Sequence, residues 1–220
     1  MGIKARRYAD ILAGAPEYVT GRQDEWKAFL TTAARNYKYP YYDQLMIYLQ
    51  RPEATACAEY DFWFDTMHRY VKRGAKGIAL VDNEGDSPKL RYVFDVADTG
   101  ARSNSRPVWL WQMKEEYRNP VMAALECAYG VSEENQSLEA QLEQVAGRLA
   151  ADYWMNYGRQ ISGIVADSSL EGYDEFNIGA AFRKAAQASI AYTLSVRCTE
   201  EAENQFEPED FRDVADFNTR

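Results

Sequence analysis

The spacing of apolar residues predicts that the first part of the chain is mainly helical. Apolar positions recur every three or four residues over residues 3 to 13, before a Gly-Ala-Pro sequence, and again from Asp24 onwards. The second of these helices is strongly amphipathic, and Trp26 fits its apolar face so well that we assign this side chain to the core. A short helix is expected over residues 42 to 50, which an Arg-Pro pair ends, and one or two helical turns over residues 61 to 66.

The spacing of apolar residues is no longer helical in the middle of the chain, where two strands are expected. Residues 77 to 82 form an apolar run, residues 90 to 96 alternate in polarity, and polar turn-forming residues separate the two segments. This pattern predicts an antiparallel hairpin, and residues 108 to 113 are the candidate for a further short strand. In the second strand of the hairpin, Arg91 and Asp95 are expected on one face and the apolar residues on the other: Leu90, Tyr92, Phe94 and Val96.

The spacing of apolar residues is again helical in the second half of the chain. Residues 120 to 129 predict one helix, and a seam of apolar residues that starts at Leu138 predicts another that packs on a neighbouring helix. A long helix is expected over residues 178 to 198, and a final one over residues 208 to 217. The predicted fold is therefore α+β and helix-dominated, with a small antiparallel β-hairpin or sheet packed against helices and an all-helical acidic half after it.

Charge is spread unequally along the 220 residues, whose formal net charge is -9. Residues 1 to 118 hold 18 Lys and Arg against 16 Asp and Glu, whereas residues 119 to 220 hold 7 against 18. We therefore divide the chain into an α+β region, 1–118, and an acidic helical region, 119–220, packed on the first as one unit. The first region could contact a polyanion. The second would repel one, and it is either a well-solvated helical surface or a contact surface for a basic partner.

Composition excludes several classes of chemistry. The chain has a single histidine, His68, which excludes HExxH zinc proteases and His-rich metal centres. The sequence has no phosphate-binding glycine motif and no nucleophile elbow, so we expect neither a cofactor nor catalysis. The three cysteines are far apart and are expected to be reduced thiols. Because no apolar run is long enough for a membrane helix and no secretory signal is present, we expect a cytoplasmic protein with no membrane partner.

Cationic and aromatic side chains are interleaved between Arg51 and Lys76. Lys and Arg neutralise phosphates, and aromatic faces stack on unpaired bases at about 1 to 3 kcal/mol per base. The stretch ends in a basic Gly-Ala-Lys-Gly sequence, residues 74 to 77, of the kind whose backbone can approach phosphates closely. An ordinary explanation stays open, in which the aromatic residues form core and the glycines turn the chain into a strand.

Three runs of sequence, 39–58, 68–80 and 90–99, carry a family resemblance. They resemble the N-terminal region of very large helicase- and methylase-like proteins of bacterial conjugative elements. More distantly, residues 26 to 96 are similar to the single-stranded-DNA-binding N-terminal domain of the ArdC antirestriction family, in the order of an early Trp, an aromatic-rich helix, a second Trp and a V-x-x-G-x-K-G turn into a strand. The zinc ligands of that family's second domain and the helicase motifs have no counterpart here. The resemblance implies an N-terminal module of a larger enzyme, without catalytic machinery of its own.

Two hypotheses for function follow. The first is a non-catalytic, sequence-tolerant single-stranded DNA-binding module of a mobile-element protein. The alternative is a protein-interaction or antirestriction-type module whose acidic half binds a host defence or DNA-binding protein, or further domains of a larger chain. For the first hypothesis the candidate phosphate contacts are Arg51, Arg69, Lys72, Arg73 and Lys76, and the candidate stacking platforms are Tyr41, Trp63 and Tyr70.

Overall fold

A computed structural model describes residues 3–82, 89–130, 137–199 and 202–218. Its contacts divide the chain into two compact units: unit 1 contains residues 1–18 and 31–111, and unit 2 contains residues 19–30 and 112–220. The predicted division at residue 118 differs from these units in the placement of residues 19–30 and 112–118. Helices dominate the structure and a small antiparallel sheet accompanies them, which confirms the predicted α+β class.

Three helices begin the chain: α1 (Ile3–Thr20), α2 (Gln23–Arg35) and α3 (Tyr41–Gln50). The prediction that α1 ends before Pro16 is wrong, because the helix continues through this proline. Leu12, Ala15 and Val19 are all buried at helical spacing, so the apolar face extends past the proline. Trp26 is half-buried rather than fully buried, and its indole Nε1 donates a hydrogen bond of 2.9 Å to Ser189 Oγ.

The strands of unit 1 form a three-stranded antiparallel sheet and a separate two-stranded ribbon. In the sheet, β4 is the central strand between β1 and β3, and the ribbon pairs β2 with β5. The register of the predicted hairpin runs from Ile78 opposite Val93 to Asp82 opposite Lys89, and the predicted turn between the strands lies outside the described residues. The strands are β1 (Cys57–Glu59), β2 (Tyr70–Val71), β3 (Ile78–Asp82), β4 (Lys89–Asp95) and β5 (Thr99–Gly100).

The alternation predicted for β4 is present, and the buried face is the one that carries Asp95. Val93 and Asp95 are buried, whereas Tyr92 is exposed and Phe94 is half-buried. Burial of Asp95 is possible because its carboxylate accepts hydrogen bonds from the backbone N–H groups of residues 55, 56 and 97, at 2.7 to 2.9 Å. These bonds hold the approach to β1 against the short 3-10 turn that leads into β5. Arg91 pairs with the buried carboxylate of Asp43.

The described part of unit 2 is mainly helical, and it includes the end of α1 and the first residues of α2. Its remaining elements are α4 (Glu115–Tyr129), α5 (Leu138–Ile164), α6 (Glu175–Cys198), α7 (Ala202–Gln205) and a 3-10 helix (Pro208–Phe217). As predicted, α4 ends at Gly130, whose φ of 62° is the left-handed conformation typical of a helix end. The strand predicted over residues 108 to 113 is wrong, since residues 101–114 have no regular structure. No described helix is both long enough and apolar enough to cross a bilayer.

Candidate nucleic-acid interface

A buried tryptophan anchors the surface on which the aromatic side chains of unit 1 are displayed. After β1 the chain makes a π-helical turn over Phe62–Thr66, in which Trp63 is only 2% exposed. Its indole Nε1 donates a hydrogen bond of 2.8 Å to the Phe94 carbonyl of β4. The prediction that Trp63 is a stacking platform is therefore wrong, because its ring is enclosed by protein and its N–H already has a partner. Trp63 instead holds the turn on the sheet.

The ribbon of β2 and β5 follows that turn and fixes the loop after β5. His68 has a positive φ of 53°, and its carbonyl accepts a hydrogen bond of 2.6 Å from Ser105 Oγ. The backbone N–H of Arg106 donates to the Met67 carbonyl at 3.0 Å. Two bonds thus tie the loop of residues 101–107 to the segment that leaves the π-helical turn.

These connections bring together an exposed set of side chains that we call the Arg102 cluster: Tyr60, Phe64, Tyr70 and Arg102. The rings of Tyr60 and Phe64 are stacked, with centroids 5.9 Å apart and planes inclined by 10°. The guanidinium carbon of Arg102 lies 5.1 Å from the Phe64 centroid and 5.8 Å from the Tyr70 centroid, within the range of cation–π attraction. The three rings are 39 to 48% exposed, and Arg102 is exposed too. Tyr70 is the one member predicted from sequence.

A glycine allows the Tyr70 ring to lie across the ribbon. Tyr70 is directly opposite Gly100 in the antiparallel register. A Cβ atom on Gly100 would come within 2.8 Å of Tyr70 Cε1 and 2.5 Å of its Oη, closer than real Cβ contacts. The absence of a side chain at residue 100 is therefore needed for this position of the ring.

Three of the predicted phosphate contacts are accessible at the other end of the ribbon. Lys72, Arg73 and Lys76 are exposed, in a turn that Gly74 closes with a φ of 88°. Lys72 Nζ donates to the Ala97 carbonyl at 2.8 Å. Arg73 and Lys76 make no side-chain hydrogen bond or ion pair to another described residue, so both charges are accessible to an anion.

The two remaining predicted cations are engaged within the fold. Arg51 forms ion pairs with Asp98 and Glu53, and 23% of its side chain is exposed. Burial acts to lower the pKa of Arg51, but the carboxylates of Asp98, Asp95 and Glu53 together outweigh burial and raise this pKa. Arg69 is half-buried and donates from Nε to Thr99 Oγ1 at 2.7 Å, which ties β2 to β5. Both arginines therefore contribute mainly to the structure of the ribbon.

Tyr41 lies in the first turn of α3, apart in sequence from the ribbon and the π-helical turn. It is 41% exposed, and its ring is 5.4 Å from that of Tyr42. Partial burial raises the pKa of Tyr41 above its ordinary value. The structure leaves it accessible as an aromatic face but does not bring it into the Arg102 cluster.

Charge around the cluster is positive, although the chain as a whole is acidic. Residues 60–76 and 99–107 together hold six Lys and Arg against two Asp, Asp61 and Asp65, both exposed. Unit 1 holds 14 Lys and Arg against 12 Asp and Glu, and unit 2 holds 11 against 22. The positive charge is thus local to one part of unit 1, and an approaching anion would be attracted there rather than to the molecule in general.

Sequence reasoning missed Tyr60, Phe64 and Arg102 as site residues. Tyr60 and Phe64 lie in the aromatic stretch that the sequence pattern indicated. The spacing of apolar residues gave no indication that these two rings are exposed while Trp63 is buried. Arg102 lies in a polar loop some thirty residues later. Two further exposed rings follow that loop, those of Trp109 (87% exposed) and Trp111 (51% exposed).

In the described part of the chain, no group of three or more His, Cys, Asp or Glu side chains is placed to hold a metal ion. Comparison of the chain with protein-family models, with curated proteins and with solved structures finds no match. The family resemblance drawn from the three sequence runs stays a prediction.

Proposed function

We propose that unit 1 is a non-catalytic module that binds single-stranded nucleic acid, with single-stranded DNA as the first candidate. The observation that carries the proposal is the Arg102 cluster, in which an accessible guanidinium lies beside the accessible rings of Phe64 and Tyr70, and Tyr60 stacks on Phe64. The resemblance to mobile-element proteins agrees with this function and adds the proposal that the module serves such an element. Because the three cysteines are free thiols, we place it in a reducing compartment, the cytoplasm.

Exposed aromatic faces favour a single strand over a duplex. Every base has a π-face that can stack on Tyr, Phe or the plane of an arginine, but in a duplex these faces are covered by neighbouring bases. Such stacking contributes about 1 to 3 kcal/mol per base and tolerates any sequence. The pair of Tyr60 and Phe64 is already stacked in the free protein, so little side-chain freedom remains to be lost when a base arrives.

Exposed cations at both ends of the ribbon suit a phosphate backbone that runs along it. Arg102 and Arg106 follow β5, while Lys72, Arg73 and Lys76 follow β2. Each phosphate that such a cation neutralises in a single strand adds about -0.7 to the slope of log K against log salt. Five contacts would thus give a slope of about -3.5, or roughly a hundredfold weaker binding between 50 and 200 mM salt.

The test is fluorescence anisotropy of a labelled mixed-sequence oligonucleotide, single-stranded and as a duplex, at two salt concentrations. We expect preferential binding of the single strand and a negative salt slope. Absence of single-strand binding at low salt, or equal affinity for the duplex, would contradict the proposal.

Paired variants locate the site. Phe64→Ala is expected to weaken binding by about 1 to 3 kcal/mol, whereas Phe176→Ala, which removes an equally large exposed ring from unit 2, should leave affinity unchanged. Arg102→Ala is expected to weaken binding and to reduce the salt slope by about 0.7, and Arg159→Ala is the matched exposed arginine in unit 2. Equal effects within either pair would place the binding surface elsewhere.

A further inference from the structure

Unit 2 contains a groove that the proposed function of unit 1 does not use. The beginning of α5, the second half of α6, the end of α7 and the 3-10 helix border a volume of about 740 Å³. The apolar part of its lining consists of three alanines, Ala140, Ala188 and Ala191, and the ring of Phe206. Ligand sites typically measure about 300 to 1,000 Å³. The groove is therefore large enough for several side chains of a bound segment.

Carboxylates outnumber cations along this groove. Glu139, Glu143, Glu209 and Asp210 line it, against Lys184 and Arg212. Both cations already have a carboxylate nearby, because Lys184 Nζ is 2.7 Å and Arg212 Nε 3.9 Å from oxygens of Asp213. Glu143 and Glu209 are exposed and form no ion pair with a described residue. The available charge in the groove is therefore negative.

A nearly buried serine that opens into the groove is a second and independent feature of this site. Ser195 lines the groove and is 4% exposed, but its Oγ makes no hydrogen bond to any described residue. Other hydroxyls of α6 are satisfied within the helix: Ser189 Oγ and Thr193 Oγ1 each donate 2.8 Å to the carbonyl four residues earlier. Unlike the Ser162 Oγ, which is enclosed, the Ser195 Oγ keeps some access to the groove that Ser195 lines, so a bound donor or acceptor has an unused hydroxyl to pair with.

We propose that this groove binds a short basic segment of a partner protein. Small apolar side chains of the segment would lie over the alanines, its Lys or Arg side chains would meet Glu143 and Glu209, and a main-chain group would pair with Ser195 Oγ. A nucleic acid is disfavoured here because its phosphates would face unpaired carboxylates. The proposal stands independently of single-strand binding by unit 1.

The probe is a fluorescein-labelled peptide of alternating Lys and Ala, with a Glu-Ala peptide of equal length as the negative probe, both titrated with the full chain at about 0.15 M salt. We expect binding of the Lys-Ala peptide alone. The double variant Glu143→Lys/Glu209→Lys should weaken it about tenfold or more, because attraction becomes repulsion at the groove. The control Asp152→Lys/Glu171→Lys changes net charge equally on exposed residues outside the groove lining and should change affinity by less than about threefold.

A variant that changes the shape of the groove alone tests whether the peptide binds inside it. Ala188→Leu adds apolar volume to the groove lining without any change of charge and is expected to weaken peptide binding by about fivefold or more. Arg102→Ala should leave peptide affinity unchanged, so failure here is distinguishable from failure of the nucleic-acid proposal. The proposal is overturned if the Lys-Ala peptide does not bind, if both charge-reversal pairs weaken it equally, or if Ala188→Leu binds it as tightly as the unaltered chain. Circular dichroism of each variant verifies that unit 2 is folded.

Discussion

Replacing Gly100 by alanine is expected to weaken single-strand binding while leaving unit 1 folded. The new Cβ would lie 2.8 Å from Tyr70 Cε1 and nearer still to the end of the ring, so the ring must move off the ribbon. Because the clash involves the outer part of an exposed side chain rather than backbone, the strand pairing can remain. The ring that moves is also the one that lies 5.8 Å from the Arg102 guanidinium.

The magnitude follows from the two interactions that this movement disrupts. An exposed cation–π pair contributes about 0.5 to 1 kcal/mol, and a base stacked on the ring about 1 to 3 kcal/mol. Since the ring is displaced rather than removed, we expect a loss of about 1 to 2 kcal/mol, or roughly 5- to 30-fold in Kd. Stability should change by less than about 1 kcal/mol, because alanine restricts the unfolded chain and offsets part of the lost packing.

The assay is the anisotropy titration, combined with urea denaturation and a double-mutant cycle. Gly14→Ala is the control, since a Cβ there meets no atom within 4 Å, and alanine should stabilise α1 by about 1 kcal/mol without any change of affinity. In a Tyr70→Ala background the Gly100→Ala change should have no further effect on binding. Unchanged affinity of Gly100→Ala, or an equal loss in both backgrounds, would show that the position of the Tyr70 ring does not contribute to binding.

Three further predictions concern packing and thiol reactivity. Gly179→Ala should destabilise unit 2 by about 1 to 3 kcal/mol in urea, because the added Cβ would lie 2.6 Å from Trp154 Cε2, and an unchanged midpoint would contradict the packing. Trp63→Phe should lower the free energy of unfolding by about 1 to 3 kcal/mol, since the Phe94 carbonyl of β4 loses its hydrogen-bond donor. Weaker binding of the single strand with unchanged stability would instead indicate that Trp63 contacts the nucleic acid. Alkylation at pH 8, followed by mass spectrometry, should modify exposed Cys127 well before Cys57, because burial raises the pKa of Cys57 to about 12; equal rates would contradict this order.

The local spacing of apolar residues predicted most helices and the β3–β4 hairpin, because each of these elements depends on the chemistry of neighbouring residues. It separated the two faces of β4 but did not show that the face with Asp95 is buried, since Asp95 and Arg91 are accommodated by partners far away in the sequence. Asp95 is satisfied by backbone N–H groups near residue 55, and Arg91 by Asp43. Such long-range compensation has no signature in the alternation itself.

The sequence predicted the stretch of chain that holds the candidate site, but not which residues form it. Aromatic residues interleaved with cations indicated the stretch that ends at Lys76, and Tyr70, Arg73 and Lys76 are accessible there. The π-helical turn determines which rings of the Phe-Trp-Phe sequence point outward. Such a turn has no characteristic spacing of apolar residues, so the sequence pattern does not reveal it. Arg102 joins the cluster only because β5 pairs with β2, a contact across about thirty residues.

The most direct measurement is photo-crosslinking of the chain to a single-stranded oligonucleotide that carries 5-iodouracil, with the modified residues identified by mass spectrometry. Iodouracil reacts with aromatic side chains on which it stacks, so the product records stacking itself. We expect crosslinks at Tyr60, Phe64 or Tyr70, which are lost at high salt and reduced by Arg102→Ala. Crosslinks confined to unit 2, or none above the level given by a duplex, would contradict this expectation.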